Sequence, residues 1–275
     1  MTTTPKRTPM RTIWRLPNRL WNQVKPLLGL EKKPGTRGRP PVPFRRVLDG
    51  ILFVLRTGCQ WKAVPAALAT GSTLHRRFQA WVKAGVFQRL WERLLRAYDA
   101  RRGIAWRWQV VDSASTKAPL GGDATGPNPT DRGKCGTKRH VLSDRRGAPV
   151  AVHVTAANMH DMKALFDTLD HPAVRRPTPA PARPQHLCLD KGYDYPVIER
   201  GVARRHYVLH MPHRGEPAVT GVRTHSPKRW VVERTHSWHN RFRRLLIRWE
   251  KRLVNYTAMI HFACALMVYR LLFLG

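Results

Sequence analysis

Three acidic residues lie in or at the end of apolar segments, where carboxylates are uncommon. Asp112 ends the apolar segment 107–112 and Asp190 ends the segment 185–190, and both segments are predicted to be strands. Glu233 lies in a predicted helix with apolar neighbours. A carboxylate beside a core loses hydration, and a metal ion or a cation normally offsets that cost. Two aspartates and a glutamate are the hard oxygen ligands that two Mg²⁺ ions require in phosphoryl transfer.

Each of these acids also has a structural interpretation. Asp112 could pair with one of the many arginines, and Asp190 could cap a turn before Gly192. Glu233 could pair with Arg229, which lies four residues earlier on the same predicted helix. Taken singly, the acids therefore leave a metal site and a structural role both open.

Two further motifs near these acids could ligate metal, but they favour other roles. Asp194 stands directly before Tyr195 and a proline, so it is predicted to be a helix N-cap. His236 and His239 are three residues apart on the Glu233 helix, with no second acid or cysteine close in sequence. This pattern favours packing or a contact with DNA over a zinc site.

The charge balance predicts a polyanionic partner. The 275 residues include 50 Lys and Arg against 17 Asp and Glu, which gives a net charge of +33. Such a charge opposes compaction and solubility unless a polyanion binds, and nucleic acid is the commonest one. Hydrophobic residues make up 42% of the chain, which is enough for a packed core and excludes general disorder.

The two charge types are distributed unevenly. Residues 1–104 hold 22 of the basic residues and only 4 of the acidic ones, whereas residues 105–226 hold 11 acidic residues. This separation favours a phosphate-binding N-terminal region and a middle region that uses some acids on metal ions.

Several classes of protein are disfavoured. The four cysteines have no paired spacing, which argues against a zinc module and a disulfide framework. The N-terminus has no apolar stretch of the signal-peptide type, so a cytosolic location is expected. Residues 254–274 are apolar but are interrupted by Asn255, His261 and Arg270, so a core helix is expected rather than a membrane span. No G-x-x-x-x-G-K-[ST] loop occurs, so no nucleotide cofactor is expected.

The N-terminal third is predicted to be helical. Residues 1–15 form a basic tail that is expected to be flexible, and 16–104 form a helical domain. One helix is predicted from Phe44 to Gly58, and Ser72 is predicted to cap a second. The second helix carries a basic face of His75, Arg76, Arg77 and Lys83. This pattern favours a helix-turn-helix that places its second helix in the major groove of DNA, although a helical bundle with solvated arginines has the same pattern.

The remainder, 105–275, is predicted to be a mixed α/β domain. After the strand that ends at Asp112, strands are predicted at 138–143 and 149–156, followed by a helix through Leu169 and a proline-rich loop at 171–184. The strand ending at Asp190 precedes a helix to about Val202, a strand at 206–211, a helix at 228–249 and the apolar helix.

The acidic segments resemble those of the bacterial DDE transposases of the insertion sequence five family. The resemblance rests on Val-Val-Asp112-Ser, Leu-Asp190-Lys-Gly-Tyr-Asp and Arg229-Trp-Val-Val-Glu233-Arg-Thr-His-Ser-Trp-His-Asn-Arg. Gly38-Arg-Pro-Pro, Arg56-Thr-Gly-Cys-Gln-Trp and Gly136-Thr-Lys-Arg-His140 are similar to further segments of that family. The order and spacing of these segments extend the resemblance over nearly the whole chain.

This resemblance implies a fold, a cofactor and partners. It implies a ribonuclease H-like core in which Asp112, Asp190 and Glu233 are catalytic and hold two Mg²⁺ ions, with Mn²⁺ able to substitute. It implies binding of double-stranded DNA at the terminal inverted repeats of an insertion sequence, strand cleavage and transfer to target DNA, a homodimer on DNA, and a place at the nucleoid in a bacterial cytoplasm. Two alternatives remain: a catalytically decayed transposase acting as a DNA-binding repressor, and a ribonuclease H-like nuclease.

Basic and aromatic residues near the acids are expected to contact DNA. A signature of the related insertion sequence four group spaces Tyr, Arg, Glu and Lys at positions held here by Ser226, Arg229, Glu233 and Asn240. Because the Lys is absent, the resemblance implies that a neighbouring cation supplies its phosphate contact. The expected contacts are Lys138, Lys191, Arg229, Arg234, Arg241 and Arg244, with Trp238 as the tryptophan best placed to stack on an unpaired base.

Overall fold

A computed structural model describes residues 13–30, 40–213 and 230–274. The predicted tail, the Gly38 motif, Ser226 and Arg229 lie outside these ranges. The helices are α1 (Asn18–Val24), α2 (Phe44–Thr57), α3 (Gly71–Lys83), α4 (Val86–Arg102), α5 (Asp161–Asp170), α6 (Pro196–Arg204), α7 (Trp230–Asn240) and α8 (Leu253–Phe273). The strands are β1 (Trp108–Lys117), β2 (Gly126–Pro127), β3 (Cys135–Asp144), β4 (Pro149–Ala156), β5 (Gln185–Cys188) and β6 (Tyr207–His210).

The two predicted N-terminal helices are present as α2 and α3. Helix α2 ends at Gly58, whose φ of 71° is the left-handed conformation that glycine adopts readily. Helix α3 is capped by Thr70, whose hydroxyl accepts a hydrogen bond from the Thr73 N–H, so the prediction of Ser72 as the cap is wrong. The connection 58–70 is longer than the turn of about three to four residues in a standard helix-turn-helix.

Helix α4, which the sequence patterns did not indicate, joins the N-terminal helices to the rest of the chain. Phe87 on α4 contacts Phe262 on α8, with ring centroids 5.3 Å apart. Trp91 donates a hydrogen bond from Nε1 to the Pro149 carbonyl on β4 at 3.0 Å. One hydrophobic core therefore continues from the N-terminal helices into the sheet region.

Helix α8 lies in the core, as expected. Among the described residues it is the helix long and apolar enough to cross a membrane by length and composition, and 72% of its apolar window is buried inside the protein. Its ring contact with α4 and its many buried side chains place it in the centre of this continuous core.

The mixed sheet has the strand order β4-β3-β1-β5-β6, and β2 pairs with the start of β3. Strands β1 and β3 are antiparallel, as are β3 and β4, whereas β1, β5 and β6 are mutually parallel. This arrangement confirms the mixed α/β fold of the ribonuclease H-like type that the resemblance implies.

Strand β1 is longer than predicted. It continues past Asp112 to Lys117, because the polar residues that follow Asp112 still pair with β3 up to Gly136. Asp112 therefore lies in the middle of a strand and not at its end.

The last part of the chain also differs from the prediction, because α7 ends at Asn240 and not near residue 249. A 3₁₀ turn at Arg243–Leu245 follows, and the Arg248 N–H then donates to the Lys117 carbonyl at 2.8 Å. This bond joins the segment before α8 to the end of β1, which a continuous helix could not do.

Because His140 is buried, we expect the folded protein to lose stability in acid. Its Nε2 lies 2.9 Å from the Thr155 hydroxyl, and burial lowers its pKa to about 4 from an ordinary value of 6.5. The unfolded chain therefore binds a proton on this histidine at a higher pH than the folded chain does, and stability falls as the pH drops from about 6.5 to about 4. We therefore expect the free energy of unfolding of His140→Gln, measured in urea, to fall less over this pH range than that of wild type. The difference should reach up to about 3 kcal/mol. The exposed His75→Gln should retain the wild-type slope, and equal slopes for all three proteins would contradict the prediction.

Candidate active site

The sheet register places Asp112 and Asp190 at neighbouring positions, on strand β1 and at the end of the adjacent strand β5. Val110 on β1 pairs with Cys188 on the parallel strand β5, and each aspartate lies two residues further along its chain. Because side chains alternate along a strand, Asp112 projects from the same face of β1 as Val110. Both aspartates are half-buried.

Helix α7 packs on this face and carries Glu233. Val232 is fully buried and forms a small apolar cluster with Val110 and Cys188, the register pair that precedes the two aspartates. Glu233 is the next residue and is exposed. The first turn of α7 is thus packed on the strands that carry Asp112 and Asp190.

Polar contacts fix the position of α7. The Thr235 hydroxyl donates to the Gly147 carbonyl in the β3–β4 turn at 3.0 Å. Arg234 donates from Nη2 to the neighbouring Arg146 carbonyl at 2.7 Å, and its guanidinium lies over the rings of Trp230 and Trp238. These contacts hold the helix against the sheet by its buried side while Glu233 stays exposed.

Asp190 also has the turn-capping role considered from the sequence. Its Oδ1 accepts a hydrogen bond from the Gly192 N–H at 2.9 Å at the start of a 3₁₀ turn. Such a bond fixes the orientation of the carboxylate at the end of β5, so a capping role and a ligand role are compatible.

The three predicted carboxylates do not form a compact group of the kind that surrounds a single ion. Among the described residues, the group of His, Asp and Glu side chains whose ligand atoms all lie within 4.8 Å of one another is the largely exposed group Asp194, Glu199 and His213, and not the predicted triad. Two-metal sites place the ions about 3.5–4 Å apart, so their acidic ligands are spread over a wider span.

Asp194 is not the N-cap that its sequence position suggested. Tyr195 occupies the cap position of α6, with a proline in the first turn. Asp194 instead accepts a hydrogen bond from His213 Nδ1 at 3.0 Å. The proline fixes where the helix starts, and the cap falls one residue later than expected.

A buried polar cluster, not anticipated from the sequence, lies between α7 and the face of the sheet that carries Asp112. Arg139 pairs in register with Ala114 and is 1% exposed, and none of its guanidinium nitrogens has a hydrogen-bond partner among the described residues. His236 is close to it, and burial together with the Arg139 charge lowers the pKa of His236 to about 3. His239 Nε2 lies 3.2 Å from the Cys264 Sγ. Packing accounts for both histidines.

The basic face predicted on the second N-terminal helix is present on α3. His75, Arg76 and Lys83 are exposed. Arg77 is half-buried, with its guanidinium 4.9 Å from the centre of the Phe44 ring. Three of the four side chains are therefore accessible to a partner.

Two of the cations expected to touch DNA have other positions. Arg244 is 7% exposed, donates to Glu250 at 2.7 Å and to the Cys59 carbonyl, so its burial argues against the expected phosphate contact. Lys138 lies on the face of the sheet opposite Asp112 and donates to Asp161 at 3.0 Å. Lys191 and Arg241 are exposed.

Models of known protein families match both the N-terminal part and the C-terminal part of the chain. Residues 16–91 match the family model described as "Putative transposase of IS4/5 family", and residues 107–268 match "Transposase DDE domain". A Burkholderia cepacia protein described as "Putative transposase for insertion sequence element IS402" is 36% identical over 59% of this chain and 75% of its own length. A second protein of that organism, "Insertion element IS402 uncharacterized 16.2 kDa protein", is 42% identical over 40% of this chain and 78% of its own length.

The similarity to solved structures is much weaker than the similarity to these sequences. The structure described as "Crystal structure of the Mos1 mariner paired end complex with Mn" aligns over 91% of this chain and 86% of the other, with 11% identity and a TM-score of 0.27. This likeness is too low to support an assignment. The sequence matches do support one, because the DDE match alone covers more than half of the chain and includes all three acids. The chain belongs to the IS4/5 family of DDE transposases, enzymes that cleave DNA and transfer its strands with the help of divalent metal ions.

Proposed function

We propose that this transposase binds the terminal inverted repeats of its insertion sequence and cleaves and transfers DNA strands with two Mg²⁺ ions held by Asp112, Asp190 and Glu233. The observation that carries the proposal is the register of β1 and β5, which sets both aspartates two residues beyond the pair Val110 and Cys188, together with the packing of Val232 on that same pair. Mn²⁺ is expected to substitute for Mg²⁺, because both ions accept oxygen ligands.

When bound, the ions would lower the pKa of an attacking water and stabilise the charge that develops on the leaving oxygen. The chain itself supplies the alignment. The Gly192 N–H orients the Asp190 carboxylate, and the Thr235 and Arg234 bonds to the β3–β4 turn keep the Glu233 helix in place. His236 is neutral near pH 7 because of its low pKa, so it adds no positive charge beside Asp112.

Double-stranded DNA would contact two basic regions. The exposed His75, Arg76 and Lys83 on α3 would bind the transposon end, and the exposed Lys191 and Arg241 would bind phosphates near the cleaved bond. We expect a homodimer on DNA, since two ends are joined during transposition, and action at the nucleoid of a bacterial cytoplasm.

The proposal is tested by the dependence of cleavage on end sequence. The full chain is incubated with Mg²⁺ and duplexes that contain either the inverted repeat flanking its gene or a shuffled repeat. Nicks at the repeat boundary and joined products on the native repeat alone would support the proposal. Equal cleavage of both duplexes would indicate a general nuclease, and end binding without cleavage in Mg²⁺ or Mn²⁺ would indicate a repressor.

A further inference from the structure

A small cavity at the junction of α2, α7 and α8 is lined by three arginines. Arg56 comes from α2, Arg241 directly follows α7 and Arg270 comes from α8. Apolar and aromatic side chains form the rest of the wall, including Trp238 and Phe242. A concentration of positive charge in a largely apolar cavity is costly without an anion.

Arg56 is the most buried of the three arginines, and two of its nitrogens have no hydrogen-bond partner among the described residues. Its side chain is 5% exposed, and these two nitrogens are the buried Nε and Nη2. The guanidinium lies over the Phe242 ring, with 4.3 Å from Cζ to the ring centre. This cation–π contact stabilises the cation by about 0.5–2 kcal/mol but gives the Nε and Nη2 donors no acceptor.

The charged neighbours of Arg56 have the same sign. Burial and the positive charges of Arg270 and Arg241 lower the pKa of Arg56 to about 10. Burial and the charge of Arg241 also lower the pKa of Arg270. In the described part of the chain no carboxylate forms an ion pair with Arg56 or Arg241. The compensating anion is therefore expected to come from outside the described chain.

The size of the cavity and its rim narrow the choice of anion. The cavity has about 20 Å³ of space, which is room for about one water molecule or one oxygen atom. A whole nucleotide does not fit. Arg241 is exposed at the rim, whereas Arg56 and Arg270 are buried. This geometry suits a phosphate group that inserts one oxygen and keeps its remaining oxygens at the surface, where arginine can bind them.

We infer that the cavity of Arg56, Arg241 and Arg270 is a binding site for one backbone phosphate of DNA. Arg241 lies eight residues after Glu233, a separation of about 12 Å along a helix axis, so one duplex could reach both residues. The inference rests on the proposed function for the identity of the polyanion, but the anion site itself can be tested without DNA. Because Arg56 belongs to the N-terminal helices and Arg241 follows the Glu233 helix, a bound phosphate would connect the two regions.

The anion site is tested first by thermal unfolding of the full chain in inorganic phosphate and in chloride at matched ionic strength. Phosphate should raise the Tm of wild type by about 3 °C more than it raises the Tm of Arg56→Gln or Arg241→Gln. Arg241 is exposed, so its variant is expected to fold even if the Arg56 variant does not. The matched control is Arg200→Gln, an exposed arginine on α6 that should keep the wild-type response. Equal phosphate responses in all folded variants would overturn the inference.

The second measurement identifies the source of the phosphate. Affinity for a random-sequence duplex is measured at several salt concentrations, since each phosphate contact contributes about 0.9 to the slope of log K against log salt. Arg241→Gln should lower this slope by about one, whereas Arg200→Gln should leave it unchanged. A phosphate-dependent Tm with an unchanged slope would overturn the assignment to DNA and leave a site for free phosphate. Failure of inverted-repeat cleavage would refute the proposed function without affecting either measurement.

Discussion

Asp112→Asn, Asp190→Asn and Glu233→Gln are each expected to lower strand cleavage by at least about three orders of magnitude, while DNA binding is kept. Each change removes a hard anionic ligand and leaves the size of the side chain almost unchanged, so metal-dependent stabilisation of the transition state is lost. A loss of about 4 kcal/mol of that stabilisation corresponds to the expected factor. Binding should be equal or slightly tighter, because a negative charge near the DNA phosphates has been removed.

The measurement compares Mg²⁺-dependent nicking of an inverted-repeat duplex with its retention in a gel-shift assay. Asp167→Asn provides the matched control, since Asp167 is an exposed carboxylate on α5 and is expected to have no role in cleavage. Normal nicking by any of the three variants would remove that residue from the site. Loss of both nicking and gel retention would indicate misfolding, which circular dichroism of the same samples can detect.

Arg248→Met is expected to cost about 3–5 kcal/mol of stability, the largest structural effect of any single change considered for this chain. Arg248 is fully buried, and its guanidinium donates to the carbonyls of Asp123, Ala124, Glu250 and Lys251 and to the Thr137 hydroxyl, at 2.6 to 3.3 Å. Methionine fills a similar volume but leaves these acceptors buried without donors. Each acceptor that loses its donor adds a desolvation cost, and these costs add up because all the acceptors surround the same side chain.

Urea unfolding followed by circular dichroism measures this effect. Arg252→Met is the control, because Arg252 is exposed four residues later in the same connection. A loss below about 1 kcal/mol for Arg248→Met would contradict the idea that this side chain fastens the segment before α8 to the loop that precedes β2. Equal losses for both variants would indicate an effect of charge and not of buried hydrogen bonds.

The sequence predicted most of the elements because their signals are local. The helix at 44–57, the glycine after it and the strand at 149–156 have the expected bounds, and the strand before Gly147 begins three residues earlier than expected. The three acids were proposed as ligands from a local signal too, a carboxylate in an apolar segment. Their relative placement was not predictable locally, because it depends on the register of β1 against β5 and on the packing of Val232.

The errors came from contacts between distant residues. The sequence pattern continues a helix through Trp249, but the helix ends at Asn240 and the Arg248 N–H bonds to the distant Lys117 carbonyl. Arg244 has the same local surroundings as Arg241, and only the partner Glu250 and the Cys59 carbonyl distinguish a buried ion pair from an exposed cation. Arg56 did leave a signal, since it follows the apolar stripe of α2 at the position where Leu52 predicts another buried residue.

The contact between α4 and α8 bears on the order in which the protein can fold during synthesis. Helix α4 is synthesised about 150 residues before α8. Nevertheless, Phe87 packs on Phe262, and the ring centroids of Trp91 and His261 are 5.2 Å apart. The apolar side of α4 therefore stays uncovered until α8 leaves the ribosome, and closing so long a loop slows folding. We expect a fragment that stops after residue 104 to expose this surface and aggregate, so the N-terminal helices reach their final packing only when the rest of the chain has been made.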